Sequence, residues 1–211
     1  MSRRGPLWTR ARLDRVMRLR FGTSHRGHVD TGLAAHEMGV SQRTVQRWLH
    51  ASSGRAVAHI PPARLEQLIG LLLPSEETRR REEQQARYAL KAIEQLSLPR
   101  GRGVLPAWTK QRWTEPHLVV VLEITQPRIR QLAVGRLSLA KTDELAKRGK
   151  IIDQAVVPSR FHATALVHQI LTDLGPWRFQ AGPGVVVQGF TQAWMADAPP
   201  THLTRSAEDL G

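Results

Sequence analysis

The sequence predicts a mainly α-helical protein: two small tandem helical domains joined by a long helix and a basic linker, closed by a short helix and a β-hairpin. Three observations predict it. Apolar residues recur at three- and four-residue spacing through most of the first hundred positions. A pair of short helical segments broken by one glycine occurs near residue 39, and its apolar pattern returns about 84 residues later. Only near the C-terminus does the pattern change to alternation around a glycine-proline-glycine turn.

Composition narrows the function classes. The chain has 211 residues, 41% of them hydrophobic, enough to bury one or two cores. It has no cysteine, which excludes disulfides, zinc ribbons and thiol catalysis. The N-terminus is Arg-rich and lacks the apolar core of a signal peptide, and no apolar run reaches the ~18 residues of a membrane span. These features predict a soluble, cytoplasmic protein with no membrane partner, and nucleoid association would follow only from a nucleic-acid partner. The net charge of +13 is uneven: +8 over residues 1–60, +7 over 61–160 and −2 over 161–211. A polyanion would meet the first three quarters of the chain.

The first domain is expected over residues 1–74. Leu13, Val16 and Met17 place a helix over about 9–21, ended by Gly22. Asp30 or Thr31 can cap a short helix through Met38, Gly39 supplies a sharp turn, and Ser41 can cap a second helix from Gln42. Ala34, Ala35, Met38, Val40, Val45 and Trp48 fall where a helix-turn-helix buries side chains around its turn glycine. The segment resembles the motif of phage-repressor and Cro-like (XRE-type) regulators. That resemblance implies a second helix in the DNA major groove, with Gln42, Arg43, Thr44, Gln46, Arg47 and His50 facing out. Glutamine pairs bidentately with adenine and arginine with guanine, while Ser41 and Thr44 suit phosphates. The alternative is a core helix pair with a solvated polar face. Solvated faces usually mix acids with bases, and this one carries no acid. "GVSQRTVQRWL" also resembles the motif in terminal proteins of linear actinobacterial replicons, over that segment alone.

The second motif is expected in "HLVVVLEITQPRIRQLAVGR", within a domain spanning 108–200. Leu118, Val119 and Leu122 align with Ala34, Ala35 and Met38, and Ile129 and Leu132 align with Val45 and Trp48. Thr114 would cap the leading helix, Gly135 would end the recognition helix, and a further helix would cover about Leu139–Lys147. The run resembles the corresponding stretch of XRE-type regulators and antitoxin-type repressors. Thr125, Gln126, Arg128, Arg130 and Gln131 would then read DNA. Two positions depart from the pattern: Glu123 stands at the turn instead of glycine, and Val119 replaces a small residue. A structural helical domain without DNA contacts is the other reading.

Between the domains, "PARLEQLIGLLL" reads as a helix from Pro62, and Ser75 opens a spacer helix within residues 75–98. About 22 helical residues span about 33 Å, close to one turn of B-DNA, which would set two readers on neighbouring grooves. The spacer also fits a short dimer contact. In the linker 99–107, Arg100 and Arg102 alternate with glycines as in the core of an AT-hook, suited to an extended minor-groove arm. The same stretch, and the N-terminal "MSRRG", also read as flexible basic tethers. "PSRFHATALVHQILTDLG" predicts a helix over Ser159–Leu174, and "WRFQAGPGVVVQGFTQAW" predicts two strands around Gly182-Pro183-Gly184. Trp177, Phe179, Val185 and Val187 would pack on the second domain or on another subunit. Residues 201–211 are expected to be disordered.

Nothing in the chain predicts catalysis or a cofactor. No phosphate-cradling Gly-x-x-x-x-Gly-Lys-Ser/Thr loop and no Gly-x-Ser-x-Gly elbow occurs. His25 and His28 lack a third metal ligand nearby. The sequence therefore predicts a non-enzymatic, sequence-specific regulator of double-stranded DNA, of the repressor kind found in phages and mobile elements. A replication, partition or terminal DNA-binding factor, and a protein-interaction adaptor, are the alternatives.

Overall fold

The computed structural model describes residues 8–50, 60–125, 128–182, 185–186 and 188–210. The chain divides into two compact units. The first gathers residues 1–75 and 176–193, the second residues 76–175 and 194–211. The fold is mixed α/β. The expectation of two tandem helix-turn-helix domains ending in a hairpin is overturned by a five-stranded sheet.

The first unit is built on four helices, α1 (Arg10–Phe21), α2 (Thr31–Met38), α3 (Gln42–His50) and α4 (Pro62–Leu72). Thr9 caps α1 by accepting from the Arg12 N–H at 3.2 Å, and Gly22 ends it with φ 85°. The periodic residues Leu13, Val16 and Met17 are buried, together with Leu68 and Leu72 of α4. The returning segment 176–193 belongs to this same core. Gln180 N–H donates to Leu72 O at 2.8 Å, and Gly182 N–H donates to Leu19 O at 2.6 Å. A Cβ on Gly182 would lie 2.5 Å from Arg20 O, so only glycine permits that approach. Phe179, expected to seek a partner on the second domain, is buried within the first unit, in the two-residue strand β4 (Arg178–Phe179). No long hairpin forms among the described residues here; the turn residues Pro183 and Gly184, and Val187, lie outside them.

The second unit opens with α5 (Glu76–Leu96), whose Glu76 and Glu77 sit in the first turn where the helix dipole favours acids. Its Ala86, Ala89 and Ala92 are buried, and these small side chains let α8 (Arg160–Leu174) pack closely on it. A short helix α6 (Pro106–Lys110) brings Trp108 into the cluster formed by Ala89, Ala92 and Phe161.

Strands β1 (His117–Ile124), β2 (Ile129–Arg136) and β3 (Lys150–Val157) form an antiparallel sheet with β1 in the middle. Leu118, Val120 and Leu122 line one face with Ala133 and with Leu145 of α7 (Leu139–Arg148). Val119 and Val121 alternate to the other face and are equally buried, and α8 packs against all three strands. A strand covered on both faces is apolar at every position, which explains the unbroken "LVVVL" run. The helix expected over Leu139–Lys147 is present as α7, capped by Ser138, whose hydroxyl accepts from Lys141 N–H at 3.2 Å. β5 (Ala193–Met195) contributes the fully buried Trp194. The segment 201–211, expected to be disordered, contains helix α9 (Leu203–Glu208). Leu203 is buried, and its N–H donates to Asp153 Oδ2 of β3 at 2.9 Å.

Candidate nucleic-acid interface

The first unit shapes α2, the turn and α3 into one rigid element. Asp30 Oδ1 accepts from Gly32 N–H at 3.0 Å and from Leu33 N–H at 3.2 Å, satisfying the start of α2. Gly39 adopts the left-handed conformation, φ 62° and ψ 37°, and Val40 N–H closes the turn onto Ala35 O at 3.0 Å. A side chain in that conformation would be strained, so the backbone favours glycine there. Ser41 starts α3, its hydroxyl accepting from Thr44 N–H at 3.2 Å and standing 2.8 Å from Thr44 Oγ1. Val45, Trp48 and Leu49 are buried, and Ala34, Ala35 and Met38 are buried on α2.

The opposite side of α3 is open. Arg43, Gln46, Arg47 and His50, spaced i, i+3, i+4, i+7, form one exposed stripe, and with Ser41 and Thr44 they line a shallow groove. Among the described residues, no acidic group pairs with Arg43 or Arg47. Such a stripe offers two bidentate guanidiniums, one amide and one imidazole to a ligand in front of it. Gln42 is exposed but not idle: its Nε2 donates to Thr31 Oγ1 at 3.1 Å, tying the start of α3 to the first turn of α2. Gln42 therefore positions the helix as well as facing outward. The sequence reading missed Thr31 in this role, because a buried threonine at a cap position is indistinguishable there from a capping one.

The other expected readers do not assemble into a second such surface. β1 and β2 form a hairpin where two helices were expected. Thr125 and Arg128 lie beside its turn, while Gln126 lies outside the described residues. Arg130 faces Glu123 across the strands and pairs with it at 3.4 Å. Gln131 is 1% exposed, and its Oε1 accepts from an Arg148 guanidinium N–H at 3.2 Å. Glu123, the residue that broke the expected turn, is thus half of a cross-strand ion pair. Gly135 sits in β2, where a Cβ would lie 2.5 Å from Lys141 Cγ, rather than ending a recognition helix. The geometry of two readers on adjacent grooves falls with that second motif.

The basic linker is turned, not extended. Pro99–Gly101 make a single 3-10 turn, with Arg100 at φ 60°, and Gly103 lies against the Gln95 backbone with no room for a Cβ. Arg100 and Arg102 remain exposed, but their backbone does not have the drawn-out shape of a minor-groove arm. The "MSRRG" arm lies outside the described residues. His25 and His28 flank a tight turn at Gly27, and no group of three or more metal-ligating side chains occurs among the described residues. No described helix is long and apolar enough to cross a membrane.

No protein-family model, no curated protein and no solved structure matches the chain.

Proposed function

We propose that the chain binds double-stranded DNA sequence-specifically through α3 and acts as a transcriptional regulator, a repressor being the role implied by the resemblance of its first motif. The observation that carries this reading is the stripe Arg43, Gln46, Arg47 and His50, exposed, free of acids and backed by three buried anchors. An α-helix fits the major groove, and arginine and glutamine there distinguish guanine and adenine by paired hydrogen bonds. Ser41 and Thr44 at the start of α3 are placed to meet phosphate, the group that sets register on the duplex. The charge of +8 over residues 1–60 supplies the salt-sensitive attraction common to all duplexes.

With one such stripe among the described residues, a single copy reads one short half-site, and a longer operator requires two copies. Selection from random duplexes followed by footprinting tests the reading. A recovered consensus protected over one groove face, single or as a two-fold repeat, supports it. Failure to enrich any sequence, with binding that ignores duplex altogether, would falsify it and favour the protein-adaptor alternative.

A further inference from the structure

The second unit contains a concave surface that duplex recognition leaves unused. A cleft of about 360 Å³ opens between α5 and the start of α8, within the size range of small-molecule sites. Phe161, buried at 3% exposure, forms its floor. Tyr88 and Trp113 present aromatic surface, Arg81 and Arg160 bring two guanidiniums, and Gln84 adds an amide. Among the described residues no carboxylate lines it.

Tyr88, Trp113 and Arg160 are held in place before any ligand arrives. The Tyr88 hydroxyl accepts from Trp108 Nε1 at 3.1 Å, and its ring stands edge-on to Trp108 and Phe161 at 6.4 and 6.1 Å. Arg160 N–H donates to Trp113 O at 2.8 Å, while the Arg160 guanidinium carbon sits 4.6 Å from the centre of the Trp113 ring. One backbone bond and one cation–π contact therefore fix a positive charge against an indole. Among the described residues no carboxylate pairs with Arg160. Arg81 pairs only with Glu77 at 3.4 Å, with both side chains more than 70% exposed, so a ligand anion can displace that contact.

Aromatic faces, paired guanidiniums and an amide together suit a ligand that is planar, anionic and able to hydrogen-bond at its edge. A bare phosphate makes no use of the rings, and an apolar aromatic makes no use of the arginines. We propose that this cleft binds one nucleotide, its base against Tyr88 and Trp113 and its phosphate at Arg81 and Arg160, whether that nucleotide is free or is the unpaired end of a strand. Bases stack on aromatic side chains without strong sequence preference, and arginine adds to the stack as well as neutralising phosphate.

Isothermal titration of the full chain with deoxyadenosine and thymidine 5′-monophosphates, inorganic phosphate and a thymidine tetranucleotide tests this. All four probes are too short or too simple to present a duplex groove to α3. At least one nucleotide probe is expected to bind at one site per chain, with inorganic phosphate at least about tenfold weaker. The double variant Arg81→Ala/Arg160→Ala, both exposed positions, is expected to lose at least about tenfold in nucleotide affinity, and Arg160→Lys to recover only part of it because the planar stack is gone. Arg47→Ala is expected to leave this binding unchanged, which separates the cleft from the duplex reader. A tetranucleotide binding tighter than the monophosphates assigns the site to strand ends; equal or weaker binding assigns it to free nucleotide. Absence of heat with every nucleotide probe, phosphate binding as tightly as the nucleotides, or affinity undiminished in the double variant overturns the proposal.

Discussion

Residues 30–50 and residues 114–134 carry apolar side chains at matching offsets, yet the first folds as two helices around a glycine and the second as the hairpin β1–β2. The difference lies in what stands at two positions. In the first segment, Ala35 allows two helices to approach, and Gly39 takes a backbone conformation that side chains resist. In the second, Val119 and Glu123 occupy those places. Val119 begins a β-branched triplet, and β-branched side chains are stiff in helices and fit a pleated surface. Glu123 meets Arg130 across the ladder, a pairing available only if the chain reverses as strands. A shared spacing of apolar residues is thus a weak witness when the segment is buried on both faces, because every spacing is then present.

Changes at β1 test this contrast most severely. In a helix that buried Leu118, Val119 and Leu122, Val120 would point outward and accept a charge. In β1 it is fully buried. Val120→Lys is expected to abolish cooperative folding of the second unit, and Val120→Ala to cost about 2 kcal/mol, read by chemical denaturation. A neutral Val120→Lys would restore the helical assignment. At the matching turn, Gly39→Val is expected to destabilise the first unit by about 1–3 kcal/mol, since a β-branched residue must then hold φ near 62°.

The two segments are also expected to differ in function. Arg47→Ala is predicted to cost about 1–3 kcal/mol of affinity for the selected site while barely affecting random duplex. Arg130→Ala, which removes only the partner of Glu123, is predicted to leave DNA affinity within error and to cost about 0.2–1 kcal/mol of stability. Equal losses of affinity from both variants in a filter-binding or anisotropy titration would make β2 part of the DNA surface.

The smallest expected effect concerns α8. Burial holds the His162 imidazole below its usual value of 6.5, beside the Ser159 hydroxyl at 2.7 Å. The unfolded chain therefore takes up this proton more readily than the folded one. The associated stability is complete above the unfolded value and is lost as pH falls through the lowered folded value. His162→Gln is expected to flatten the fall in melting temperature between about pH 7.5 and pH 5. A parallel curve for the variant would show that other groups carry the acid sensitivity.

Local signals were legible wherever the chemistry was local. Asp30 and Gly39 cap or turn the backbone within four residues of themselves and could be assigned from neighbouring residues, whereas the equally local caps Thr9 and Ser138 were not singled out. The outward face of α3 followed from the burial of Val45 and Trp48 by simple periodicity. Three things were not legible. The sheet depends on pairing β3 with β1 from more than twenty residues away, a choice that no local pattern specifies. The placement of Gln180 and Gly182 depends on contacts with Leu72 and Leu19, over a hundred residues earlier. The cleft joins Tyr88, Trp113 and Arg160, which come from three stretches of chain that each look ordinary alone.

The hydrogen bonds from Gln180 and Gly182 to Leu72 and Leu19 have a temporal meaning. Residues 76–175, most of the second unit, interrupt in sequence the unit that carries α3. A ribosome must therefore deliver the chain through residue 182 before α1 and α4 receive this strut. Nascent or prematurely terminated chains carry the full set of arginines on α3 but lack that strut, so the unit around α3 completes its backbone contacts only once translation has run past residue 182.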